Sequence, residues 1–471
     1  MDFITDKQTL DDLNLTGKYS RNSVFSLYNH TVTRGGERLL EKVFGAPLTS
    51  PAEINRRSAL IGFFGGAGIA FPFVAGEFER AEDYFSNVEG GSFVASCLGN
   101  VRRRALHLIA NEQDFVLHRE GFAAGVVFVR RLEQFALSVE EALSRRGVAG
   151  VAGDAGGLFA DELAQLKAFL GRREVRALLA AGSDLSFWEF CRFDHMLRCT
   201  LSAGVISMVK LMHKVDMYIS VGLYAASRGF SYAVCKEAVA TGDGIPSAPA
   251  FEISMTGVYH PAVERAVAND IVITSASNLF FLTGANMAGK STLMKSFSIA
   301  LYLAHMGFPV PCLVLEFTAM EGIFTSINVP DNLSMGYSHF YAEVMRVKMI
   351  AAQVAKGMRL VVVFDEMFKG TNVKDAFDAT VCVSDAFASH RESAFVISTH
   401  IMEAAAELGQ SCDGAQFWYL PTLLREGSPS YSYRLEKGVS DDRYGMTIVN
   451  NERIVEIIKN SRFYEEVYVG A

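Results

Sequence analysis

The chain has 471 residues, 50% of them hydrophobic and 20% charged, with a net charge of −8 and a pI near 5.8. That length leaves room for two or three domains with large cores. The acidic balance excludes a protein that grips a phosphate backbone over its whole surface. Seven cysteines, scattered without CxxC spacing, exclude a disulfide framework or a zinc ribbon and suit a reducing cytoplasm.

In chain order, the first dozen residues are polar and acidic and do not read as a secretory signal. Ser23 to Thr33 leads into Gly36, Arg38-Leu39-Leu40 and then Pro47-Leu48. Ala59 to Gly76 is uncharged and long enough to raise the membrane question. Its five glycines and Pro72 point to packed core instead. Helical stretches are expected from Gln113 to Arg146 and from Leu158 to Leu179, joined by a glycine-alanine connection over 147–157. Basic clusters fall in this half: Arg102-Arg103-Arg104, Arg130-Arg131, Arg145-Arg146, and Arg172-Arg173 with Arg176. They read either as solvated helix faces or as contacts to DNA. Phe187 and Trp188 read as core or helix-packing aromatics. Leu211 to Leu223 is an apolar helix with Asp216 inside it.

The second half carries the chemistry. Leu279-Phe280-Phe281-Leu282 reads as a buried strand, and a helix opens at Lys290. Between them lies Gly284-Ala285-Asn286-Met287-Ala288-Gly289-Lys290-Ser291, followed by Thr292. Strand, glycine loop and helix in that order form a phosphate-binding loop. Its backbone N–H groups converge on a β-phosphate, and the start of the helix adds its positive end. Lys290 then neutralises β/γ-phosphate charge, and the Ser291 hydroxyl sits on Mg²⁺. Leu360 to Phe364 is a β-branched apolar run ending in Asp365-Glu366, the pattern of a central parallel strand delivering acids at its carboxyl end. Asp365 is placed to hold Mg²⁺ through water, and Glu366 to orient or deprotonate the attacking water. Ala394 to Ser398 forms a further strand, expected beside the one carrying Glu366, and His400 just beyond it could touch the γ-phosphate. Tyr431 to Gly438 reads as a final strand and turn. Ile454, Val455, Ile457 and Ile458 form a helical stripe that serves either dimerisation or packing on its own domain.

These segments resemble the MutS family of DNA mismatch-repair ATPases. Thr283 to Thr292 is similar to that family's Thr-Gly-Pro-Asn-Met-Gly-Gly-Lys-Ser-Thr, with Ala285 and Ala288 as departures. Asp365 to Asp375 is similar to Asp-Glu-x-x-Arg-Gly-Thr-Ser-x-x-Asp, and Asp331 to Glu343 to Asp-Asp-Leu-x-x-Gly-x-Ser-x-Phe-x-x-Glu. Tyr259-His260-Pro261 matches a further landmark. The resemblance implies a multidomain fold: an all-α lever (core) domain over 1–245, an α/β P-loop NTPase domain of the MutS/ABC-like type over 246–435, and a small C-terminal helical dimerisation segment over 436–471. It implies ATP with Mg²⁺, and a homodimer in which Ser338 reaches the partner's γ-phosphate. Where the family often has an aromatic after an Asn-Glu-Pro turn, Asn269-Asp270-Ile271-Val272 offers only Val272, so adenine is expected to be held by apolar contact or by Tyr259. The segment before the lever is expected to leave no room for the family's mismatch-reading and connector domains. The run between the lever landmarks is expected to be too short for a full DNA clamp, with the 147–157 loop in its place.

The resulting expectation is an ATPase that couples hydrolysis at a dimer interface to duplex, mismatched or branched DNA in repair or recombination, with protein partners of a repair pathway and no membrane. The second reading is a MutS-like nucleotide switch acting on a protein partner without mismatch recognition. A transporter ATPase or kinase fits least, because no transporter signature precedes Asp365.

Overall fold

The computed structural model describes residues 2–17, 23–87, 91–110, 112–148, 157, 159–182, 184–237, 251–327, 339–425, 428–440 and 453–459. The chain folds as two compact units. One is helical and comprises Phe25–Ala46 and Arg56–Phe230; the other is of mixed α/β type and comprises Met1–Val24, Pro47–Asn55 and Ser231–Ala471. Residues 1–24 and 47–55, read from sequence as part of the helical domain, therefore fold with the α/β unit. Hydrogen bonds explain the difference. The Leu48 N–H and carbonyl engage the carbonyl (2.8 Å) and Nδ1 (2.8 Å) of His305, and the Asn55 amide pairs with both backbone groups of Cys235.

In the helical unit, the longest helices are Asp114–Val148 and Ser202–Arg228. At 35 residues the first spans about 52 Å at the α-helical rise. The stretch expected as one helix over 158–179 is two, Ala160–Leu170 and Arg173–Ala180, because the first ends at Gly171. The core is built on phenylalanine. Phe64 sits edge-on to Phe63 and Phe159, and Phe128 stacks on Phe73 and meets Phe78 and Phe85 edge-on. Edge-to-face pairs of this kind add about 0.5–1.5 kcal/mol beyond area burial.

Two buried carboxylates organise this unit. Asp216, 1% exposed on Ser202–Arg228, accepts the backbone N–H of Val32 (2.9 Å) and of Thr33 (2.8 Å) and the Thr33 hydroxyl (2.7 Å). Thr33 in turn caps Arg34–Phe44 by accepting the Gly36 N–H at 2.9 Å. Asp194 receives the Tyr84 hydroxyl (2.7 Å), Asn100 (2.9 Å) and both arms of Arg198, with His118 Nε2 3.0 Å away. Burial works to raise its pKa, but His118 and Arg198 together hold the carboxyl far below the usual range. Gly65 and Gly222 let two helix backbones touch, since a Cβ on Gly222 would meet the Gly65 Cα at 2.7 Å. Phe187 packs on the core as expected, but Trp188 does not: it is 67% exposed, one helical step off the buried face.

Fourteen strands lie in the α/β unit among the described residues: β1 (Ser231–Tyr232), β2 (Val234–Lys236), β3 (Glu252–Val258), β4 (Asn269–Thr274), β5 (Leu279–Thr283), β6 (Pro309–Val310), β7 (Val314–Thr318), β8 (Gly322–Ser326), β9 (Leu360–Asp365), β10 (Ala394–Ser398), β11 (Ala415–Tyr419), β12 (Thr422–Arg425), β13 (Ser428–Tyr431) and β14 (Glu436–Lys437). The main sheet has the order β14-β11-β5-β10-β9-β8, parallel except for β14. A second sheet has the order β2-β7-β3-β4, and β1–β6 and β12–β13 form two-stranded ribbons. Every residue of β5, β8, β9 and β10 is buried, which is what unbroken apolar runs in a parallel sheet require. The strand expected over Tyr431–Gly438 is instead the end of β13 and, after a break, β14. Among the described residues no helix is long and apolar enough to cross a membrane; the apolar stretch from Ala59 leaves its helix after Gly66 and turns at Gly68 (φ 67°).

Candidate active site

The carboxyl ends of β5, β10 and β9 lie side by side and bring three separate sequence segments together. β5 delivers the loop from Gly284 to Gly289, and the helix Lys290–His305 begins at its end. Gly284 (φ 140°) and Gly289 (φ 102°) occupy backbone regions that side chains disfavour, and Gly289 forms the helix N-cap. A Cβ on Gly289 would also meet the Tyr433 ring at 3.0 Å. Lys290 is 5% exposed; its Nζ donates to the Gly284 carbonyl (2.8 Å) and the Ala285 carbonyl (3.2 Å) and lies 3.6 Å from Glu366. Burial lowers its pKa, opposed by the charges of Glu366 and Asp365.

β9 ends at Asp365, which is 9% exposed. Its two oxygens accept the Ser291 hydroxyl and the Ser398 hydroxyl. Ser398 was not singled out in the sequence; only its place at a strand end, before Thr399-His400, could have pointed to it. Glu366 follows at φ 56°, an uncommon conformation for a non-glycine residue, with its N–H donating to the Ser398 carbonyl at 3.0 Å. Its carboxylate lies 3.7 Å from His400 Nδ1 and 3.5 Å from Lys369 Nζ. His400 beside it is the largest influence on it; with Lys290 and Lys369 it outweighs burial and lowers the carboxyl to about 2. His400 itself is 54% exposed on the side chain.

A hydroxyl beside a carboxylate is a hard-oxygen donor pair suited to Mg²⁺ completed by water and phosphate oxygens. Such a site does not need a cage of protein ligands, and among the described residues no group of three or more His, Cys, Asp or Glu could hold a metal ion. The glycines at 284 and 289, where backbone alone lines the loop, fit a phosphate chain for the same steric reason.

Two cavities adjoin these groups. One, of about 320 Å³, is bordered by Gly289, Thr292 and Leu293 on the loop side and by Val258, His260, Val267 and Tyr433 on the other. Asn269 ties its walls together, donating to the Val267 carbonyl (3.3 Å) and Tyr433 carbonyl (3.0 Å) and accepting the Leu435 N–H (2.7 Å). Val272 and Tyr259, expected to hold the base, do not line it. Val272 is 46% exposed on the outward side of β4. The other cavity, of about 220 Å³, separates Ser326, Ile327, Glu343 and Val347 from Asp365, Glu366 and Lys369. Ser338 and the rest of 331–338 lie outside the described residues, as does most of the 147–157 loop.

The family model for MutS domain V matches residues 280–465, and that for MutS domain III matches residues 8–85. Among curated proteins, the chain is similar to the DNA mismatch repair protein MutS of Leuconostoc citreum (strain KM20), 30% identical over 195 residues, covering 40% of this chain and 22% of that protein. It is 27% identical over 195 residues to the protein of the same name from Streptococcus sanguinis (strain SK36), covering 40% and 23%. For that of Lactococcus lactis subsp. lactis (strain IL1403) the figures are 25% over 248 residues, covering 51% and 28%. The chain thus spans about a quarter of the length of the curated relatives it matches.

Proposed function

The chain belongs to the MutS family, and from that premise we propose that it binds and hydrolyses ATP at the carboxyl ends of β5, β10 and β9 and couples this cycle to DNA. The observation that carries the reading is the convergence there of Lys290-Ser291, Asp365-Glu366 and Ser398–His400 around a glycine loop. The residues from Gly284 to Thr292 hold the phosphates. Lys290, which now donates to two loop carbonyls, turns its donors to β/γ-phosphate oxygens. Ser291 and Asp365 hold Mg²⁺, which when bound neutralises charge developing on the transferred phosphoryl group. Glu366 takes a proton from the attacking water as its oxygen bonds to the γ-phosphorus and the bond to the β-bridging oxygen breaks, giving ADP and phosphate. His400 holds the Glu366 carboxylate and senses the γ-phosphate. The base lies in the cavity between Val267 and Tyr433, where the ring offers a stacking face.

The active form is a homodimer in which Ser338 of one copy reaches the other's nucleotide. Ile454, Val455 and Ile458, 44%, 43% and 78% exposed on the helix Ile454–Lys459, supply an apolar face for that pairing. All seven cysteines are free, which fits the cytoplasm. Double-stranded DNA is the cargo, with protein partners of a repair pathway.

One observation favours the second reading, a nucleotide switch acting on a protein. Two arginines that could face DNA are drawn into pairs on the protein: Arg103 with Asp114 and Arg131 with Glu77. Titrating homoduplex, mismatched and branched DNA with ATP at several salt concentrations separates the two. A DNA-coupled ATPase loses affinity steeply as salt rises, and an absence of salt-dependent binding favours the switch.

A further inference from the structure

Residues 2–17 carry no catalytic motif, yet they are built into the α/β unit at one place. β8 is the edge strand of the main sheet, and Ile4 lies beside its Gly322 in parallel. The Ile4 N–H donates to the Glu321 carbonyl at 2.8 Å, and its carbonyl accepts the Ile323 N–H at 3.0 Å. A Cβ on Gly322 would meet the Ile4 carbonyl oxygen at 2.4 Å, so this approach needs glycine. The short helix Lys7–Asp12 follows, capped by Asp6, which accepts the Thr9 N–H at 2.9 Å.

Two side chains of this segment then reach the carboxyl end of β8, and a third reaches Arg346 on the helix His339–Val354. Thr9 accepts the Thr325 N–H at 3.0 Å. Asp12 accepts the Thr325 hydroxyl at 2.8 Å and the Ile327 N–H at 2.9 Å. Asp6 takes both arms of Arg346, whose guanidinium also donates to the Thr325 carbonyl. Thr9, Asp12 and Arg346 are buried, at 0%, 4% and 8% exposure.

These contacts hold one wall of the cavity beside Glu366. That wall is Ser326 and Ile327 at the end of β8, with Glu343 and Val347 on the helix His339–Val354. Arg346 lies between the last two in that helix, and Thr325 precedes the first two. The end of β8 and the helix are thus fastened to each other by Arg346 directly and again through Asp6, Thr9 and Asp12. We propose that residues 2–17 are a strap that sets the distance between this wall and Glu366, so that turnover depends on Asp6, Thr9 and Asp12 although none of them touches nucleotide. The inference rests on the reading of Glu366 as the hydrolytic base. Asp6, Thr9 and Asp12 are positioning residues that act through Arg346, Thr325 and Ile327.

The test uses the full chain with Asp6→Ala, Asp12→Asn and Gly322→Ala, and reads ATP affinity, kcat and hydrogen exchange across 322–327. The strap predicts faster exchange over 322–327, ATP affinity within about twofold of wild type and kcat lower by about tenfold, the scale on which sub-ångström misplacement acts. Arg346→Lys, which keeps the charge, should retain part of the rate that Arg346→Met loses. Unchanged exchange in all three variants overturns the strap, as does faster exchange with unchanged kcat. A parallel fall of ATP affinity, kcat and Tm overturns it too, since that marks general unfolding. A wild-type chain that binds ATP without hydrolysing it sinks the proposed function instead. The exchange arm then decides the strap alone, with faster exchange supporting it and unchanged exchange overturning it.

Discussion

The two units store their polar chemistry differently. In the α/β unit the groups that meet at the site come from short contiguous segments, each at the end of a buried strand, so Asp365 and Ser398 meet because β9 and β10 pair in register. In the helical unit the decisive polar contact joins Thr33 to Asp216, 183 residues apart, and a second gathers Tyr84, Asn100, His118 and Arg198 onto Asp194. The first arrangement leaves charge where a ligand can use it; the second spends the donors of Thr33, Tyr84, Asn100 and Arg198 on holding helices together. The buried carboxylates Asp194 and Asp216 are spent on architecture in the helical unit, while Glu366, 17% exposed beside Lys290 and Lys369, is the candidate for chemistry in the other.

Breaking each unit at its own centre should separate the two roles. Lys290→Ala should weaken ATP binding about 10- to 100-fold, from the roughly 1.5–3 kcal/mol of hydrogen bonds to charged groups, with Tm nearly unchanged. Calorimetric titration with MgATP checks it. Asp216→Ala should do the reverse. It strands the Val32 and Thr33 N–H groups and the Thr33 hydroxyl, at about 1–3 kcal/mol each, so thermal unfolding should show Tm lower by roughly 6 °C or more. ATP affinity should survive at temperatures where the variant is folded.

Smaller effects sharpen the picture of the α/β site. Tyr433→Ala should raise the ATP Kd about tenfold, in keeping with about 1–3 kcal/mol for base–aromatic stacking, whereas Val272→Ala should leave it unchanged. Equal effects would put the base elsewhere. The pH dependence follows from Glu366, whose carboxyl His400 draws down to about 2. A carboxyl lower in the folded than in the unfolded state stabilises the fold above its unfolded value of about 4.3 and loses that contribution as pH falls toward 2. As the proposed base it stays ionised through pH 5–8, so kcat should show no acid limb from Glu366 there. His400→Ala removes the largest lowering influence and should move the acid limb upward in a kcat–pH profile.

Much of the α/β site was legible because its strands announce themselves as unbroken apolar runs and its loop and acids follow at once. Placing β10 beside β9 needed only that logic. Tyr433 was not legible, because Asn269 draws it to the loop from 164 residues away. The strap was missed for the same reason: Asp6, Thr9 and Asp12 sit in an unremarkable acidic stretch, and only the fold sets them on Arg346 and Thr325. In the helical unit the apolar periodicity gave the long helices but not the break at Gly171, nor that Trp188 faces outward while Phe187 packs inward.

Glu366→Gln tests the central claim most directly, because it removes the proposed proton acceptor while keeping the size of the side chain that sits beside Lys290 and His400. MgATP affinity should stay within a few-fold of wild type while single-turnover hydrolysis falls by at least about 100-fold, the lower range for a positioned base. Hydrolysis at the wild-type rate would contradict the account.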